Sequence, residues 1–307
     1  MIHGILNVYK EKGYTSHDVV AKLRGITGQK KIGHTGTLDP DAVGVLPVCL
    51  GKATRLCDLL TDKDKTYETV LLLGQSTDTQ DISGQILETN ETKDLSEEMV
   101  SVAIKSFVGE YAQIPPMYSA LKVGGKKLYE LAREGKVVER KSRKVKIHEI
   151  EILEIQIPRV KMRVSCSKGT YIRTLCHDIG EKLGCGGCME ELTRTRVSRF
   201  EIGESLTLDE IAGKKQEGRL MDIVTPIDSM FLQYRKLTVR KSWDFPAKNG
   251  NSLTCNAVYE ENGKAPQPEC DGECIRVYDE QGHFIGLYNW QEEKKEYRIV
   301  KMFFCEE

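Results

Sequence analysis

The sequence lacks a marked excess of charge of either sign. Its 307 residues include 45 lysines and arginines against 46 aspartates and glutamates, which gives a formal net charge of −1. Proteins that bind nucleic acid are often strongly basic, so on the scale of the whole chain this balance argues against a polyanionic partner. With 39% apolar and 30% charged residues, the composition is typical of a folded globular protein, and the length suggests two domains.

Long apolar runs are also missing. The most apolar stretch, residues 43–50, is interrupted by Gly44 and Pro47 and is too short to span a bilayer. Residues 1–10 contain neither a basic segment nor the long apolar run of a secretory signal. Ten cysteines in a chain of this length are far below the density of a disulfide scaffold. We therefore expect a cytoplasmic protein with reduced thiols and no membrane partner.

Several well-known motifs of catalysis are absent. The chain has no GxxxxGK[ST] run, no GxSxG or HExxH motif, and no GxGxxG that opens a helix after a strand. The six histidines show no metal-ligand spacing. Two cysteine pairs, 185/188 and 270/274, have a spacing that zinc sites use, but they lie far apart and without clustered histidines. Cysteine often serves as a small apolar residue, so we predict no metal site.

The pattern of apolar residues predicts alternating helices and strands, with strands dominating the second half. Helices are expected at residues 16–25, 95–107 and 170–184, with Ser16, Ser96 and Thr170 as N-caps and Gly184 as a stop. Strands are expected at residues 66–73, 160–166, 274–278, 284–288 and 297–304. From about residue 235 onward, short β-rich runs separated by polar turns predict a small β-barrel-like domain.

Positive charge is concentrated in one segment. Residues 122–146 hold ten basic against three acidic side chains, with Tyr129 among them. Such a mixture suits a groove that neutralises phosphates and stacks bases, although a solvated, salt-bridged surface explains an isolated basic run equally well. Residues 256–307 hold six basic against twelve acidic side chains. An RNA partner would therefore contact mainly the first domain.

The most unusual local sequence surrounds Asp39. Three glycines and two prolines fall within residues 33–47, so this backbone is a shaped loop rather than a regular element. Because Asp39 precedes Pro40, it is biased toward an extended conformation, and one competing N–H donor is absent beside it. A carboxylate held in this way can act as a nucleophile or a general base. From the spacing alone, a simple Asp-Pro turn is the commoner explanation.

This segment resembles a known catalytic motif. Residues 33–47, GHTGTLDPDAVGVLP, are similar to the catalytic motif of the bacterial TruB family of tRNA pseudouridine synthases. Further similar motifs follow in the family's order: GYTSHD (13–18), KTYE (65–68), DTQDISGQ (78–85), IPPMYSALK (114–122), SKGTYIR (167–173) and ELTRTR (191–196). Residues 10–13, KEKG, depart from the family by lacking a proline. The C-terminal β segment resembles the PUA RNA-binding module.

The resemblance implies three catalytic residues. Asp39 matches the aspartate that attacks the target uridine, Arg173 the arginine that pairs with that carboxylate, and Tyr67 the aromatic residue that packs against the flipped base. A uridine stacked inside an RNA loop is unreachable until it is extruded. An adjacent cation lowers a carboxylate pKa, so Arg173 is expected to keep Asp39 ionised. The isomerisation involves no net redox change or hydrolysis, so no cofactor is expected.

The resemblance also implies binding residues. His34 matches the residue that fills the space vacated by the flipped uridine, while Tyr171 and Leu192 match substrate-pocket positions. Residues 115–147, here called the thumb segment, match the family's mobile loop that grips the T-arm of tRNA. The basic residues expected to contact RNA in this region are Lys122, Lys126, Lys127, Lys141, Arg143 and Lys144.

These inferences combine into one expectation. We expect an α/β (α+β) catalytic domain at residues 1–230, built on a mixed, largely antiparallel sheet with flanking helices, and a small PUA-like β-barrel domain at residues 231–307. The expected function is conversion of the T-loop uridine, position 55 of tRNA, to pseudouridine by a monomer. A non-catalytic tRNA-folding chaperone is the alternative. Among enzymes, the rival is a ribonucleoprotein paralogue that acts on ribosomal RNA, but such proteins bear long basic tails, whereas residues 305–307 of this sequence are CEE.

Overall fold

The computed structural model describes residues 1–304, and residues 305–307 lie outside the described part. The helices within it are α1 (Ser16–Thr27), α2 (Cys57–Thr61), α3 (Glu97–Lys105), α4 (Leu128–Arg133), α5 (Ile172–Leu183), α6 (Leu208–Gln216) and α7 (Asp244–Lys248). The strands are β1 (Gly4–Lys10), β2 (Ile32–His34), β3 (Val43–Leu50), β4 (Lys65–Leu73), β5 (Gln75–Thr77), β6 (Ile86–Thr89), β7 (Gly109–Gln113), β8 (Lys122–Val123), β9 (Lys126–Lys127), β10 (Arg143–Gln156), β11 (Arg159–Cys166), β12 (Gly187–Val197), β13 (Phe200–Glu201), β14 (Arg235–Val239), β15 (Val258–Tyr259), β16 (Cys274–Tyr278), β17 (Phe284–Gln291) and β18 (Glu296–Met302).

The larger sheet has nine strands and carries the residues around Asp39. Its order is β1-β3-β12-β4-β11-β10-β7, with β2 paired to β3 and β13 paired to β12. Every pairing is antiparallel except that of β3 with β12, where Arg194 lies opposite Gly44. The predicted mixed, largely antiparallel sheet with flanking helices is therefore confirmed.

Alternation along β4 and β11 gives this sheet one apolar face. Val160, Met162 and Val164 are fully buried and join the apolar side chains of α3 and α5 in one core cluster. A second cluster packs α1 and α6 against β1 and β3. The strands predicted at residues 66–73 and 160–166 and the N-cap at Ser96 agree with the structure.

The predicted ends of α1 were wrong at both termini. The N-cap is Thr15, which forms a capping box with Asp18, and the helix runs through Gly25 to a left-handed cap at Gly28. Ser16 is the first residue of the helix, and its hydroxyl accepts a hydrogen bond from the Leu38 N–H at 3.0 Å. The residue predicted to cap the helix instead holds the loop that carries Asp39.

The start of α5 also differs from its prediction. The N-cap is Tyr171 rather than Thr170, and Tyr171 gives no side-chain cap to the helix. The Thr170 hydroxyl donates to the Ser167 carbonyl at 2.9 Å, which closes the preceding turn. Gly184 ends the helix in a left-handed conformation, as predicted.

A C-terminal β domain follows. Its sheet has the order β15-β14-β16-β17-β18 and its own apolar core, which includes Tyr288 and Tyr297. A separate cluster joins Phe231, Leu287 and Phe303 to Ile5 and Val45 of the first sheet, so the two sheets pack against each other. No helix within residues 1–304 is both long enough and apolar enough to cross a membrane.

The thumb segment leaves the large sheet between β7 and β10. Strands β8 and β9 form a short hairpin that leads into α4, and Met117, Leu128 and Leu131 form a small apolar cluster of their own. Gln113 and Arg143 lie opposite each other where the chain leaves and rejoins the sheet. The segment therefore has its own small apolar cluster and joins the large sheet where β7 ends and β10 begins.

Candidate active site

The loop between β2 and β3 carries Asp39 and is held along its length. The Thr35 N–H and hydroxyl both donate to the Pro47 carbonyl, at 3.2 and 3.1 Å. Further along, Leu38 is joined to Ser16 as described above, and the Gly13 N–H donates to the Pro40 carbonyl at 2.9 Å. These bonds account for the buried polar groups of the loop and give Asp39 a defined position.

Lys10 supports this loop from β1 and was not predicted from the sequence. Although it is fully buried, its Nζ donates to the carbonyls of Pro40 at 3.0 Å and Ala42 at 2.6 Å. Burial lowers the pKa of the Lys10 ammonium to about 8. Both acceptors follow Asp39 closely in sequence, so the ammonium holds the loop on the carboxyl side of that residue.

Arg194 supports the other side of the loop and was also not predicted. Its guanidinium is buried, and it donates to the carbonyls of Val45 at 2.7 Å and Gly36 at 3.3 Å. The backbone of Arg194 also approaches Gly44 so closely that a Cβ on that glycine would lie 2.3 Å from the Arg194 carbonyl oxygen. Gly44 also has a φ of +106°, which residues other than glycine rarely adopt, so both the close contact and the backbone conformation require glycine at this position.

Asp39 and Arg173 form a direct ion pair. The Arg173 Nε lies 3.0 Å from the Asp39 Oδ2, and the Arg173 Nη2 lies 3.4 Å from the Oδ1. The guanidinium also donates to the carbonyls of Thr79 at 3.0 Å and Tyr118 at 2.8 Å, and it lies 3.5 Å from the Asp81 carboxylate. The arginine side chain is 7% exposed and that of Asp39 is 40% exposed, so the carboxylate faces the open side of the cleft.

Burial raises the pKa of Asp39, whereas its partner Arg173 was expected to lower it. Desolvation in the cleft raises the pKa of the Asp39 carboxyl above its ordinary value. Arg173 and Lys10 act in the opposite direction, while Asp81 and Asp41 add to the rise. Arg173 therefore lowers this pKa as expected, but desolvation has the larger effect.

Tyr67 and Leu192 lie on neighbouring strands beside the loop. Tyr67 is 8% exposed on β4 and belongs to the core cluster that contains Leu38, while Leu192 on β12 packs against the same cluster. Burial raises the pKa of Tyr67 to about 12, and Arg194 acts to lower it. The structure thus brings an apolar wall and a neutral phenol ring close to the loop of Asp39.

His34 and Tyr171 complete the predicted set. His34 is half-buried, and its Nδ1 accepts from the Gly36 N–H at 3.3 Å while its ring meets that of His17 edge-on at 5.4 Å. Burial lowers the pKa of His34, so its imidazole is neutral near pH 7. Tyr171 is half-buried immediately before α5, two residues from Arg173, and its backbone is hydrogen-bonded by Gln113.

The six predicted RNA-binding residues fall in two parts of the thumb region. Lys122, Lys126 and Lys127 lie on the β8–β9 hairpin, and Lys126 forms an ion pair with Glu134 at 3.2 Å. The Lys127 ammonium lies 5.3 Å from the centre of the Tyr129 ring. The remaining three, Lys141, Arg143 and Lys144, are exposed where the segment rejoins the sheet, and none forms an ion pair within residues 1–304.

The two cysteine pairs do not form a common site. Cys185 and Cys188 are buried in the first domain, whereas Cys270 is exposed in the C-terminal domain. Across the described residues, no three His, Cys, Asp or Glu side chains are grouped closely enough to hold a metal ion.

Solved structures share this architecture. The chain superposes on the structure titled "Structure of H/ACA RNP bound to a substrate RNA containing 2'-deoxyuridine" with a TM-score of 0.71 and 26% identity, covering 99% of this chain and 86% of the other. A Cbf5-Nop10-Gar1 complex matches with a TM-score of 0.71 and 28% identity, covering 98% of this chain and 85% of the other.

Sequence relatives identify the family. The fold is shared with these solved structures, and the family models that match the chain are those of pseudouridylate synthases. The family model for the N-terminal domain of TruB family pseudouridylate synthases matches residues 24–172, and that for the tRNA pseudouridylate synthase B C-terminal domain matches residues 173–232. The tRNA pseudouridine synthase B of Lachnoclostridium phytofermentans is 52% identical, covering 98% of this chain and 100% of the relative, and that of Clostridium acetobutylicum is 44% identical, covering 97% and 99%. The chain belongs to the TruB family of pseudouridylate synthases.

Proposed function

We propose that this enzyme converts the uridine at position 55, in the T-loop of tRNA, to pseudouridine. The observation that carries the proposal is the ion pair of Asp39 with Arg173, 3.0 Å apart at the open side of the cleft. A protein that only binds and folds tRNA has no need of a carboxylate aimed at the RNA. The relatives named tRNA pseudouridine synthase B support tRNA as the substrate.

The chemistry requires that the target nucleotide leave its stack. Extrusion costs a few kcal/mol, which contacts in the pocket offset. The Asp39 carboxylate then acts on the flipped nucleotide, and any bond that it forms to the base or the sugar is broken again, so that the carboxylate is regenerated with the product. The bond between N1 and the sugar breaks, the base turns, and a bond from C5 to the sugar replaces the lost one. The proton on C5 is lost and N1 gains one, so the product is an isomer of the substrate.

The surrounding residues take roles that suit their environments. Tyr67 offers a ring for stacking, a contact worth about 1–3 kcal/mol per base. Arg173 orients the Asp39 carboxylate through its two hydrogen bonds and reduces the cost of keeping it ionised. His34, neutral at its half-buried position, fills the space that the base vacates.

The remaining expectations concern the pocket, the RNA and the domains. Tyr171 and Leu192 line the pocket, and the thumb segment grips the T-arm through Lys122, Lys126, Lys127, Lys141, Arg143 and Lys144. The apolar cluster within that segment supports its acting as a unit. The chain divides into a catalytic domain at residues 1–230 and a PUA-like RNA-binding domain at residues 231–307, a proposal supported by the start of the second sheet at Arg235. A monomer located in the cytoplasm, where tRNA is used, stays a prediction.

Mapping of the product tests this proposal. The purified protein is incubated with an unmodified tRNA transcript, and pseudouridine is located by sequencing after selective chemical labelling. We expect one product, at the T-loop uridine, and none in a matched transcript that carries cytidine at that position. Product at another uridine would contradict the assignment, and binding without any product would favour the tRNA-folding chaperone.

A further inference from the structure

The base of the thumb segment is joined to the active-site end of α5 by a buried side chain. Gln113 is the last residue of β7, and its side chain is 1% exposed. Its Nε2 donates to the Tyr171 carbonyl at 2.9 Å, and its Oε1 accepts from the Tyr171 N–H at 2.7 Å. Gln113 thus satisfies both polar groups of one backbone unit, as a neighbouring strand would.

This pairing fixes the start of the helix that bears Arg173. Tyr171 is the N-cap of α5, and no side chain caps that helix end. Without Gln113, the N–H of Tyr171 would lose its hydrogen-bond partner, and the residue would be free to move. Arg173 lies two residues further on, in the first turn of α5. The position of Tyr171 therefore determines the backbone position from which the Arg173 side chain reaches Asp39.

A second connection runs between the same two parts of the fold. The Arg173 Nη2 donates to the Tyr118 carbonyl at 2.8 Å, while its Nε holds the Asp39 carboxylate at 3.0 Å. One guanidinium therefore touches both the thumb segment and the predicted catalytic carboxylate. A shift at the base of the thumb segment would reach Asp39 through Tyr171, through Tyr118, or through both.

We infer that Gln113 is a positioning residue. When the thumb segment holds RNA, Gln113 transmits the position of the base of that segment to Tyr171, and thereby sets the orientation of Arg173 at Asp39. The inference rests on the proposed function. Gln113 lies behind Tyr171 and acts through it rather than on the substrate. Its loss would slow the isomerisation of bound RNA and leave RNA affinity unchanged, because the basic side chains that neutralise phosphates are still present.

The chain offers a closely matched control. Gln29 is also buried, and it makes the same pair of bonds to the backbone of Ile2, with its Oε1 accepting at 2.9 Å and its Nε2 donating at 3.1 Å. This pair lies near the amino terminus, at a different part of the sheet. Gln29→Ala therefore removes the same chemistry as Gln113→Ala, without the connection to α5.

The experiment separates binding from chemistry. The dissociation constant for an unmodified tRNA transcript and the single-turnover rate constant at saturating enzyme are measured for the wild type, Gln113→Ala and Gln29→Ala. We expect Gln113→Ala to lower the rate constant by about tenfold to a hundredfold, the scale of a misplacement of about 1 Å, with an unchanged dissociation constant. The two variants should lower the melting temperature by similar amounts, because each loses the same pair of hydrogen bonds, but Gln29→Ala should leave the rate constant unchanged.

Two results would overturn the inference. One is a rate constant for Gln113→Ala that equals that of Gln29→Ala, and the other is a weaker affinity with an unchanged rate constant. If Gln113→Ala does not fold, Gln113→Met keeps the volume, removes both hydrogen bonds and faces the same criteria. An inactive wild type would count against the proposed function instead, because the inference concerns only the difference between variants.

The pH dependence gives a readout that a merely structural role would not change. Arg173 and Lys10 hold down the pKa of Asp39 against burial, Asp81 and Asp41. A displaced Arg173 would do so less well, so the acidic limb of the rate profile should move to higher pH in Gln113→Ala. An acidic limb that coincides with that of Gln29→Ala would contradict the inference.

Discussion

At Asp39, two consequences of the fold oppose each other. The cleft desolvates the carboxyl and raises its pKa, whereas Arg173 at 3.0 Å lowers it. The role proposed for Asp39, as a nucleophile or as a base, requires the ionised form. The fold therefore keeps a carboxylate less solvated than an ordinary aspartate, at the cost of making it easier to protonate.

This balance predicts an acidic limb in the activity. As the pH falls through the raised pKa, Asp39 becomes protonated, so the single-turnover rate constant should fall at a pH above the ordinary aspartate value of about 3.9. Rates at saturating enzyme are measured from neutral pH downward, with circular dichroism at each pH to verify that the protein is folded. A rate constant that stays level down to about pH 4 would contradict the effect of burial.

The residues around Asp39 differ in how far the sequence could predict them. Asp39 and Arg173 lie in motifs, and the structure places them in contact as expected. Lys10, Arg194 and Gln113 were missed because their partners are main-chain groups 32, 149 and 58 positions away. Arg194 lies within the motif ELTRTR (191–196), but neither that motif nor the residues beside Lys10 and Gln113 reveal which main-chain group accepts the hydrogen bond.

Two glycines in different elements should respond in opposite ways to replacement by alanine. Gly44 has φ +106°, and a Cβ there would meet the Arg194 carbonyl oxygen at 2.3 Å, whereas Gly25 lies inside α1 with open space around it. We predict that Gly44→Ala destabilises the fold by about 1–3 kcal/mol or more. Gly25→Ala should stabilise it by about 0.5–1 kcal/mol, since alanine favours a helix interior.

Urea unfolding followed by circular dichroism measures both variants against the wild type. If Gly44→Ala is as stable as the wild type, the close approach of the Arg194 backbone to the loop of Asp39 is wrong. Destabilisation by Gly25→Ala would show that the interior of α1 is not the open helical site described above.

The same contrast explains why element interiors were easier to predict than element ends. The strands at residues 66–73 and 160–166 followed from alternation, which depends only on neighbouring residues. The cap of α1 was missed although its signal is local: Thr15 and Asp18 have the spacing of a capping box, whereas Val19 stands at the corresponding position after Ser16. What the local pattern does not show is the bond of the Ser16 hydroxyl to Leu38, 22 positions away.

For the whole molecule, a net charge of −1 conceals a strong local asymmetry. Residues 122–146 carry ten basic against three acidic side chains, while residues 256–307 carry six against twelve. Part of the basic charge is neutralised internally, as at Lys126 and Glu134. Lys141, Arg143 and Lys144, at the return of the thumb segment, are exposed and form no ion pair within residues 1–304.

Neutralising those three residues should weaken RNA binding and its dependence on salt. Each phosphate contact contributes about 0.7–0.9 to the slope of log affinity against log salt, so the triple change to glutamine should reduce that slope by about 2–3. Filter binding with a tRNA transcript at several salt concentrations measures it. Three exposed lysines outside the segment that likewise form no ion pair within residues 1–304, Lys105, Lys161 and Lys215, provide a control. Equal slopes for the two triple variants would contradict the RNA-binding assignment.

The central claim is that Asp39 carries out the isomerisation, and Asp39→Asn tests it most directly. The change keeps the size of the side chain and removes its negative charge. Pseudouridine at the T-loop uridine is quantified in a single turnover, with tRNA affinity measured in parallel. We predict that the wild type converts this uridine and that Asp39→Asn binds tRNA but forms no product. Conversion by Asp39→Asn at the wild-type rate would contradict the claim.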